Sequence, residues 1–321
     1  IARASLNLGT AAHARGKLGD AHAAYERGLR LATALGQADL AVVLEFNLAK
    51  LYADVGAFER ARVRATSARA TAAEREMGFF VAALTSVIAD CLLAEGDFTG
   101  ATASFAEARD AFEKVGSHRE ALEEEIELGR TELAAGALAA AAQRARGASK
   151  HEALRAAPDL ESRAATLSAK IALRSGDRAW ALADAQLAVR KAEEASRPDL
   201  EAEAQSALAG VVAELGQPEQ AARALARARE LWSAMAESLP EPLREGFFRH
   251  PRRRELTQKE LERRAVAHED RLEKLEGLVA LFRRLNSSLE TSDVLAMALD
   301  AAIELTRAER GFVLLASSRG E

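Results

Sequence analysis

The sequence is poor in the residues that build disulfide-rich or aromatic folds. Its 321 residues include one cysteine, six prolines and only 5% aromatic side chains. The single cysteine, Cys91, excludes an internal disulfide framework and is typical of a reducing compartment. The longest apolar stretch, residues 77–89, ends at Asp90 and is too short to span a bilayer. No signal segment opens the chain, so we expect a cytoplasmic protein without membrane contact.

The sequence also has no large excess of either positive or negative charge. The chain has 44 basic and 49 acidic residues, a formal net charge of −5. This balance creates no global field that favours nucleic acid, and we expect no direct nucleic-acid binding. An apolar fraction of 49%, carried mainly by alanine and leucine and combined with 29% charged residues, is typical of long packed helices.

Patterns that carry catalysis or bind metals are missing as well. The six histidines are scattered, and no two have the i, i+4 spacing that places two imidazoles on one metal ion. Cys91 falls inside a predicted buried helix, where cysteine behaves as a small apolar residue. The acidic run 123–125 lies on a repeat helix and is typical of a solvated surface. We therefore predict a non-enzymatic chain that holds no metal and no cofactor.

An internal repeat of about forty residues covers most of the chain. It is marked by a ladder of glycines, in which the first interval is slightly shorter and the four later intervals are equal, namely Gly19, Gly56, Gly96, Gly136, Gly176 and Gly216. An alanine follows each of these glycines by five residues. We expect each glycine to end one helix in the left-handed conformation, and the small residues to let two helices approach closely. Because neither helix of a unit buries its apolar stripe alone, the units must stack into a solenoid.

This arrangement resembles the tetratricopeptide repeat family over roughly residues 4–237, as in Leu48, Ala49, Gly56, Phe58 and Ala61. The resemblance implies an all-α fold, a right-handed superhelix of about six helix-turn-helix repeats over residues 1–238. It also implies a concave face that is lined by the first helix of each unit and binds a protein or peptide. The period of 40 exceeds the family's usual period of about 34, and the long-period variants of bacterial signalling proteins are the most similar.

Counting back from the glycines places a set of charged residues on the concave face. The groove candidates are Lys50, Asp54, Asp90, Arg130, Lys170 and Arg174. The three later cations are expected to form a basic strip beside the two aspartates, where a peptide with a mixed or acidic stretch is clamped by charge-assisted hydrogen bonds. The alternative is that these charges only solvate a curved helical face.

The forty-residue period stops near residue 238. Pro240 and Pro242 interrupt the helical pattern, and a basic cluster follows, so we expect a linker over residues 239–256. A capping box at Thr257–Glu260 then predicts a long helix over residues 257–290 with a heptad seam. The seam residues are Leu272, Leu275, Val279, Phe282, Asn286 and Leu289. They favour a parallel homodimer, and the alternative is a single helix that packs this stripe on its own domain.

The last segment, residues 291–321, resembles the opening of a GAF domain in its run from Ala308 to Leu315, which reads AERGFVLL. The resemblance implies a short α/β fragment of that domain. The order of solenoid, linker, heptad helix and GAF start is similar to the sensory region of bacterial sigma-54-dependent regulators. In those proteins an AAA+ ATPase and a helix-turn-helix follow the GAF domain, and a Ser/Thr kinase sometimes precedes the repeats.

These features predict a non-catalytic sensory and protein-interaction region of a bacterial signalling or transcriptional regulator. It binds a partner protein or its own output module and relays the state through a coiled-coil helix. One alternative is the sensory half of a histidine kinase, a Ser/Thr kinase or a nucleotide cyclase. Another is a free-standing adaptor, whose tail would cap the solenoid as a hairpin.

Overall fold

A computed structural model describes residues 1–253, which form thirteen α-helices and no β-strand. The helices are α1 (Ala2–Ala14), α2 (Leu18–Ala34), α3 (Ala38–Asp54), α4 (Phe58–Glu74), α5 (Gly78–Glu95), α6 (Phe98–Lys114), α7 (His118–Ala134), α8 (Leu138–Ala148), α9 (Pro158–Arg174), α10 (Arg178–Glu194), α11 (Pro198–Glu214), α12 (Pro218–Glu237) and α13 (Glu241–Arg249). Short 3₁₀ helices span Glu152–Ala156 and Pro251–Arg253. The helix predicted for residues 257–290, with its dimer seam, and the GAF fragment predicted for 291–321 lie outside the described residues.

The first twelve helices form six consecutive pairs, as the repeat predicts. Within each pair the turn contains a glycine with a φ between 70° and 86°, a conformation that other residues adopt with strain. These glycines are Gly16, Gly56, Gly96, Gly136, Gly176 and Gly216. At the second turn, the amide of Gly56 donates to the carbonyl of Ala53 at 3.0 Å, and Ala57 donates to Tyr52 at 2.8 Å. Such bonds satisfy the carbonyls that a helix leaves free at its carboxyl end.

The first turn differs from the sequence expectation. Gly16, and not Gly19, takes the left-handed conformation, with a φ of 72°. Gly19 lies inside α2, because α2 begins at Leu18. With Gly16 as the first turn, all intervals between the turn glycines are equal, and the alanine five residues later becomes Ala21, which is fully buried.

Turns between pairs follow the same geometry half a repeat later. Gly36, Glu76, Gly116 and Ser196 all have a positive φ, between 54° and 74°. Helices of 17 residues, such as α2, α3 and α4, therefore alternate with three-residue turns along the chain. Among the twelve repeat helices α8 departs most from this length, since it has only 11 residues and is followed by the 3₁₀ helix before α9.

Small side chains hold the two helices of each pair together. Five residues after each turn glycine lies an alanine with no exposed surface; these residues are Ala21, Ala61, Ala101, Ala141, Ala181 and Ala221. The same principle applies at Gly9, where an added Cβ would lie 2.5 Å from the ring of Tyr25. Close packing of this kind is sensitive to a single added carbon atom.

One helix of the described part, α5, is long and apolar enough to cross a membrane by composition, with a mean hydropathy of 1.7. In the structure α5 packs against α3, α4 and α6. Seven of its residues, among them Leu84, Val87 and Cys91, are buried in the solenoid, and its phenylalanines are partly buried. Packing inside the repeat stack thus accounts for its composition.

The solenoid closes on itself. Near the end of α12, Trp232, Met235 and Leu239 belong to the same apolar core as residues of α1–α5. The amide of Gly19 donates to the side-chain oxygen of Ser238 at 3.1 Å. This contact leaves no room for a side chain at position 19, because an added Cβ would overlap the carbonyl oxygen of Ser238. The last pair therefore contacts the first.

The segment expected to be a linker is folded onto the solenoid instead. It forms α13 and the following 3₁₀ helix, and both Leu243 and Phe247 are buried, with relative exposures of 3% and 0%. Pro240 precedes the first turn of α13, where proline does not oppose a helix. The apolar side chains at 243 and 247 are one helical turn apart, so α13 buries one face against the early repeats.

Replacing Gly19 by alanine tests the closure. In an isolated helix, alanine is more stable than glycine by about 1 kcal/mol. In the closed solenoid the added carbon collides with the Ser238 backbone, so we expect Gly19→Ala to lower the free energy of unfolding by about 1–3 kcal/mol in urea. The control is Gly147→Ala on α8, where an added Cβ meets nothing within 4 Å, and this variant should be unchanged or slightly more stable. Equal gains in both variants would show that the last pair does not contact the first.

Candidate functional site

The first helices of the pairs line the centre of the solenoid, which contains two adjacent cavities of about 220 and 540 Å³. The smaller cavity is bordered by Lys50 and Asp54 from α3. The larger cavity is bordered by Asp54, Asp90, Arg130, Lys170 and Arg174, from α3, α5, α7 and α9. The structure therefore brings all six groove candidates together, and their role in binding stays a prediction.

The expected basic strip is present, but its cations already have partners. Arg130 bonds to Glu127 on its own helix and lies 3.6 Å from Asp90 and 4.0 Å from Glu203. Lys170 lies 3.3 Å from the same Glu203 carboxylate. Arg174 donates to the backbone carbonyl of Leu133 at 2.6 Å. The strip is thus part of a mixed network of both signs rather than a free positive surface.

Asp54 is a strongly perturbed acid at the junction of the two cavities. Burial alone would raise its pKa, but the charge of Lys50 and a hydrogen bond from His13, with 3.1 Å between Nε2 and Oδ2, hold the pKa well below its usual value. The Asp54 carboxylate in turn raises the pKa of Lys50. Asp54 and Lys50 therefore remain charged across the physiological range.

Sequence reasoning missed a further set of charges on the same helix faces. Glu123, Arg163 and Glu203 recur at the forty-residue period of the repeat. The first two lie seven positions before Arg130 and Lys170. Arg163 is 3.6 Å from Glu123 and 3.4 Å from Glu127, so it links α9 to α7. Extending the inward stripe by two helical turns would have found this set, because residues seven apart lie on one face of a helix.

Sequence analysis also did not predict that three side chains near the end of the described residues enter the centre of the solenoid. His250, Arg252 and Arg253 border the cavities. The guanidinium of Arg252 donates to Asp90 at 2.5 Å and to Glu127 at 3.3 Å. No periodicity connects these residues, since the pairs are 162 and 125 positions apart in sequence.

The neighbours of Arg252 are buried polar groups. Arg253 donates to the backbone carbonyls of Asp54 and, at 3.0 Å, of Phe247. Burial lowers the pKa of Arg253 to about 10, so it stays protonated at neutral pH. Burial and the Arg253 charge lower the pKa of His250 to about 4. The neutral His250 ring accepts a hydrogen bond at Nδ1 from the Arg252 amide, 3.0 Å away.

One acid close to this network is held uncharged. Glu124 on α7 has 4% of its surface exposed, and its Oε2 atom has no hydrogen-bond partner among the described residues. Burial raises the pKa of Glu124 to about 8, although a hydrogen bond with Ser86 opposes this shift. The nearby charges of Glu123 and Asp90 add to it. At neutral pH, Glu124 is therefore mostly protonated.

Comparisons with known proteins relate this architecture to solved structures. No protein-family profile matches the chain, and no curated protein sequence does. One similar structure is the Rap conjugation gene regulator of the plasmid pLS20 in complex with the Phr* peptide. It is 18% identical, with a TM-score of 0.63, and the match covers 84% of this chain and 74% of that one.

A second similar structure is a Rap protein complexed with competence and sporulation factor. It is also 18% identical, with a TM-score of 0.60, and the match covers 74% of this chain and 65% of that one. At this level of identity the likeness concerns the fold. The chain is a helical-repeat solenoid similar to those of the Rap proteins.

The buried Glu124 carboxyl predicts a pH dependence of stability. Between pH 4.5 and 8 the folded chain holds a proton that the unfolded glutamate releases. The free energy of unfolding therefore falls as pH rises through this window, by at most about 1.4 kcal/mol per pH unit from this group. We expect Glu124→Gln to match the wild type at pH 5 and to exceed its stability by about 1–3 kcal/mol at pH 8 in urea titrations.

The matched control is Glu107→Gln, which removes the same charge from an exposed position on α6. Its stability should follow the wild-type pH profile. If the Glu124→Gln profile also runs parallel to the wild type, Glu124 is ionised in the folded chain.

Proposed function

We propose that the chain is a non-catalytic interaction region of a signalling regulator, which binds a peptide or extended protein segment in the centre of its solenoid. The observation that carries this proposal is the cavity of about 540 Å³, bordered by charged side chains from α3, α5, α7, α9 and α11. A cavity of this size accommodates several side chains of a ligand. Its charges of both signs offer charge-assisted hydrogen bonds to an extended polar chain.

The chemistry of the cavity supports binding rather than catalysis. Its carboxylates and cations are engaged with one another, as Lys170 is with Glu203. Within residues 1–253 no three His, Cys, Asp or Glu side chains are grouped so as to hold a metal ion. The one cysteine, Cys91, is buried, and burial raises its pKa to about 12, so its reactive thiolate form is suppressed. Such groups serve recognition better than proton or acyl transfer.

The similar Rap structures also support the proposal that the solenoid binds a peptide. One was determined with the Phr* peptide and the other with competence and sporulation factor. Because a shared fold does not by itself transfer a function, the argument depends on the cavity of this chain, and the neighbours show that a solenoid of this type is compatible with a bound peptide.

We extend the proposal to the type of regulator. The GAF-like run 308–315 and the heptad pattern of 257–290 are the features that favour the cytoplasmic sensory region of a sigma-54-dependent transcription regulator. In such a protein the long helix relays the state of the solenoid, because a ligand shifts a two-state element only through different affinity for its two arrangements. This part of the proposal depends on sequence resemblance alone.

Peptide selection tests the proposed binding. A displayed library of random nonapeptides is selected on the full chain, and the dissociation constants of enriched peptides are measured by fluorescence polarisation. We expect Lys170→Glu to weaken binding at least tenfold, because the change places a carboxylate against Glu203 and reverses a charge at the cavity wall.

The control is Lys191→Glu on α10. Lys191 is likewise ion-paired, with Glu161 and Glu194, but it does not border either central cavity. It should leave the affinity within twofold. Enrichment of no peptide, or equal effects of both variants, would overturn the central binding site.

The proposed relay helix predicts a dimer. We expect the full chain to sediment as a dimer, and Phe282→Asp to make it monomeric, because a charge at a core position of a coiled coil is costly to bury. Val63→Asp, on the exposed face of α4, is the control and should stay dimeric. A chain that is monomeric at every concentration tested would favour the alternative in which the helix packs on its own domain.

A further inference from the structure

The adjacent arginines at the end of the described chain occupy the centre of the solenoid in the manner of a ligand. Arg252 inserts between α5 and α7 and bonds to one carboxylate from each, Asp90 and Glu127. Both carboxylates also interact with Arg130, which is 3.6 Å from Asp90. Two carboxylates on adjacent repeats thus form a recess for a guanidinium that comes from outside the repeat helices.

The second arginine is held by backbone and aromatic contacts. Arg253 donates to the backbone carbonyl of Asp54, at the carboxyl end of α3. Its guanidinium lies over the ring of Phe247, 3.7 Å from the ring centre. A cation at a helix carboxyl terminus and above an aromatic ring is stabilised by both contacts.

Residues 250–253 are attached to the solenoid through α13, but only non-covalent contacts hold them in the groove. Phe247 is fully buried and anchors α13 to the early repeats. Beyond it, His250 packs on the ring of Phe58, with 5.1 Å between ring centres. Pro251 and Arg252 form part of the wall of the larger cavity. If residues 250–253 withdrew, that cavity would widen towards Asp90 and Glu127.

We propose that residues 250–253 are an intramolecular ligand of the central groove, and that the external ligand is a peptide with two adjacent basic side chains that displaces them. This inference rests on the proposed function for the existence of an external peptide. Displacement of Arg252 would remove the guanidinium that bridges the two carboxylates. Asp90 would keep only Arg130, 3.6 Å away, while Glu127 would keep Arg130 and Arg163. A peptide that supplies a cation beside Asp90 restores the lost ion pair. Recognition of the external peptide is thereby linked to release of the segment that leads into residues 254–321.

The tether sets the expected strength of the competition. A segment joined by a few residues has an effective concentration in the millimolar range. A peptide added in solution competes against that concentration in the wild type but not in a chain that lacks the two arginines. The apparent affinity should therefore differ by an order of magnitude or more between the two.

The probe is a labelled octapeptide with the sequence of residues 246–253, GFFRHPRR. It is titrated into the full wild-type chain and into full-length Arg252→Ala/Arg253→Ala, with fluorescence polarisation as the readout. We expect at least tenfold tighter binding to the double variant. Adding Asp90→Asn to that variant should weaken binding at least tenfold, and a probe with both arginines replaced by alanine should not bind.

Equal binding to the wild type and the double variant would overturn the intramolecular occupancy. No binding of the probe to the double variant would overturn the recognition of adjacent basic side chains. The library-selected peptides distinguish this failure from that of the proposed function. If the library peptides bind the double variant in the groove while the probe does not, the proposed function stands and this inference fails. If neither the library peptides nor the probe binds, both the proposed function and this inference fail.

Hydrogen exchange on the unmodified chain provides a measurement that does not depend on how the double variant folds. At saturating probe, the backbone amides of His250, Arg252 and Arg253, which are hydrogen-bonded in the docked segment, should exchange at least tenfold faster than without the probe. Unchanged exchange of this segment, with the probe bound, would overturn the displacement.

Discussion

The contact between the last helix pair and the first is the constraint on which the rest of the structure depends. An open solenoid leaves its concave face in water, where charged rows need no partners. Once the Ser238 backbone meets Gly19, the concave face becomes an interior, and the side chains at its centre lose solvent. A buried charge is tolerated only with a partner, so the cations and carboxylates of different repeats are obliged to pair. The shared engagement of Glu203 by Arg130 and Lys170 follows from this enclosure.

The repeat could be predicted because its cause is local. A left-handed turn favours glycine at a fixed distance from two helices, and that requirement recurs in every repeat unit. The error at the first turn has an instructive origin. Position 16 requires glycine because its φ is positive, whereas position 19 requires glycine because a Cβ there would collide with Ser238. The sequence alone does not distinguish these two reasons. The turns at Glu76 and Ser196 show the converse, since the conformation is adopted there without glycine.

The centre is predictable only in part, for a similar reason. The repeat register correctly places Asp90, Arg130 and Lys170 on one face, because helical spacing determines which residues point inward. It does not predict the partners of these side chains, since the contact of Arg252 with Asp90 spans 162 residues and depends on closure. The two prolines of the expected linker indicate an interruption, whereas the buried Phe247 in the following helix determines where that segment packs.

Under the proposed function, the paired charges of the interior determine what kind of ligand the centre selects. A cavity lined by apolar groups accepts any ligand of suitable shape, and its discrimination between similar ligands is weak. In this chain a ligand that separates Asp90 from Arg252 must replace a charge-assisted hydrogen bond of 2.5 Å, or leave this partly buried carboxylate with only its longer contact to Arg130, at 3.6 Å. That penalty falls on every ligand lacking a cation at the right position, and it is much smaller for one that supplies it. Ion pairs of this kind contribute little to stability, but in an enclosed centre they let the chain discriminate between ligands. The centre is enclosed because the two ends of the solenoid meet.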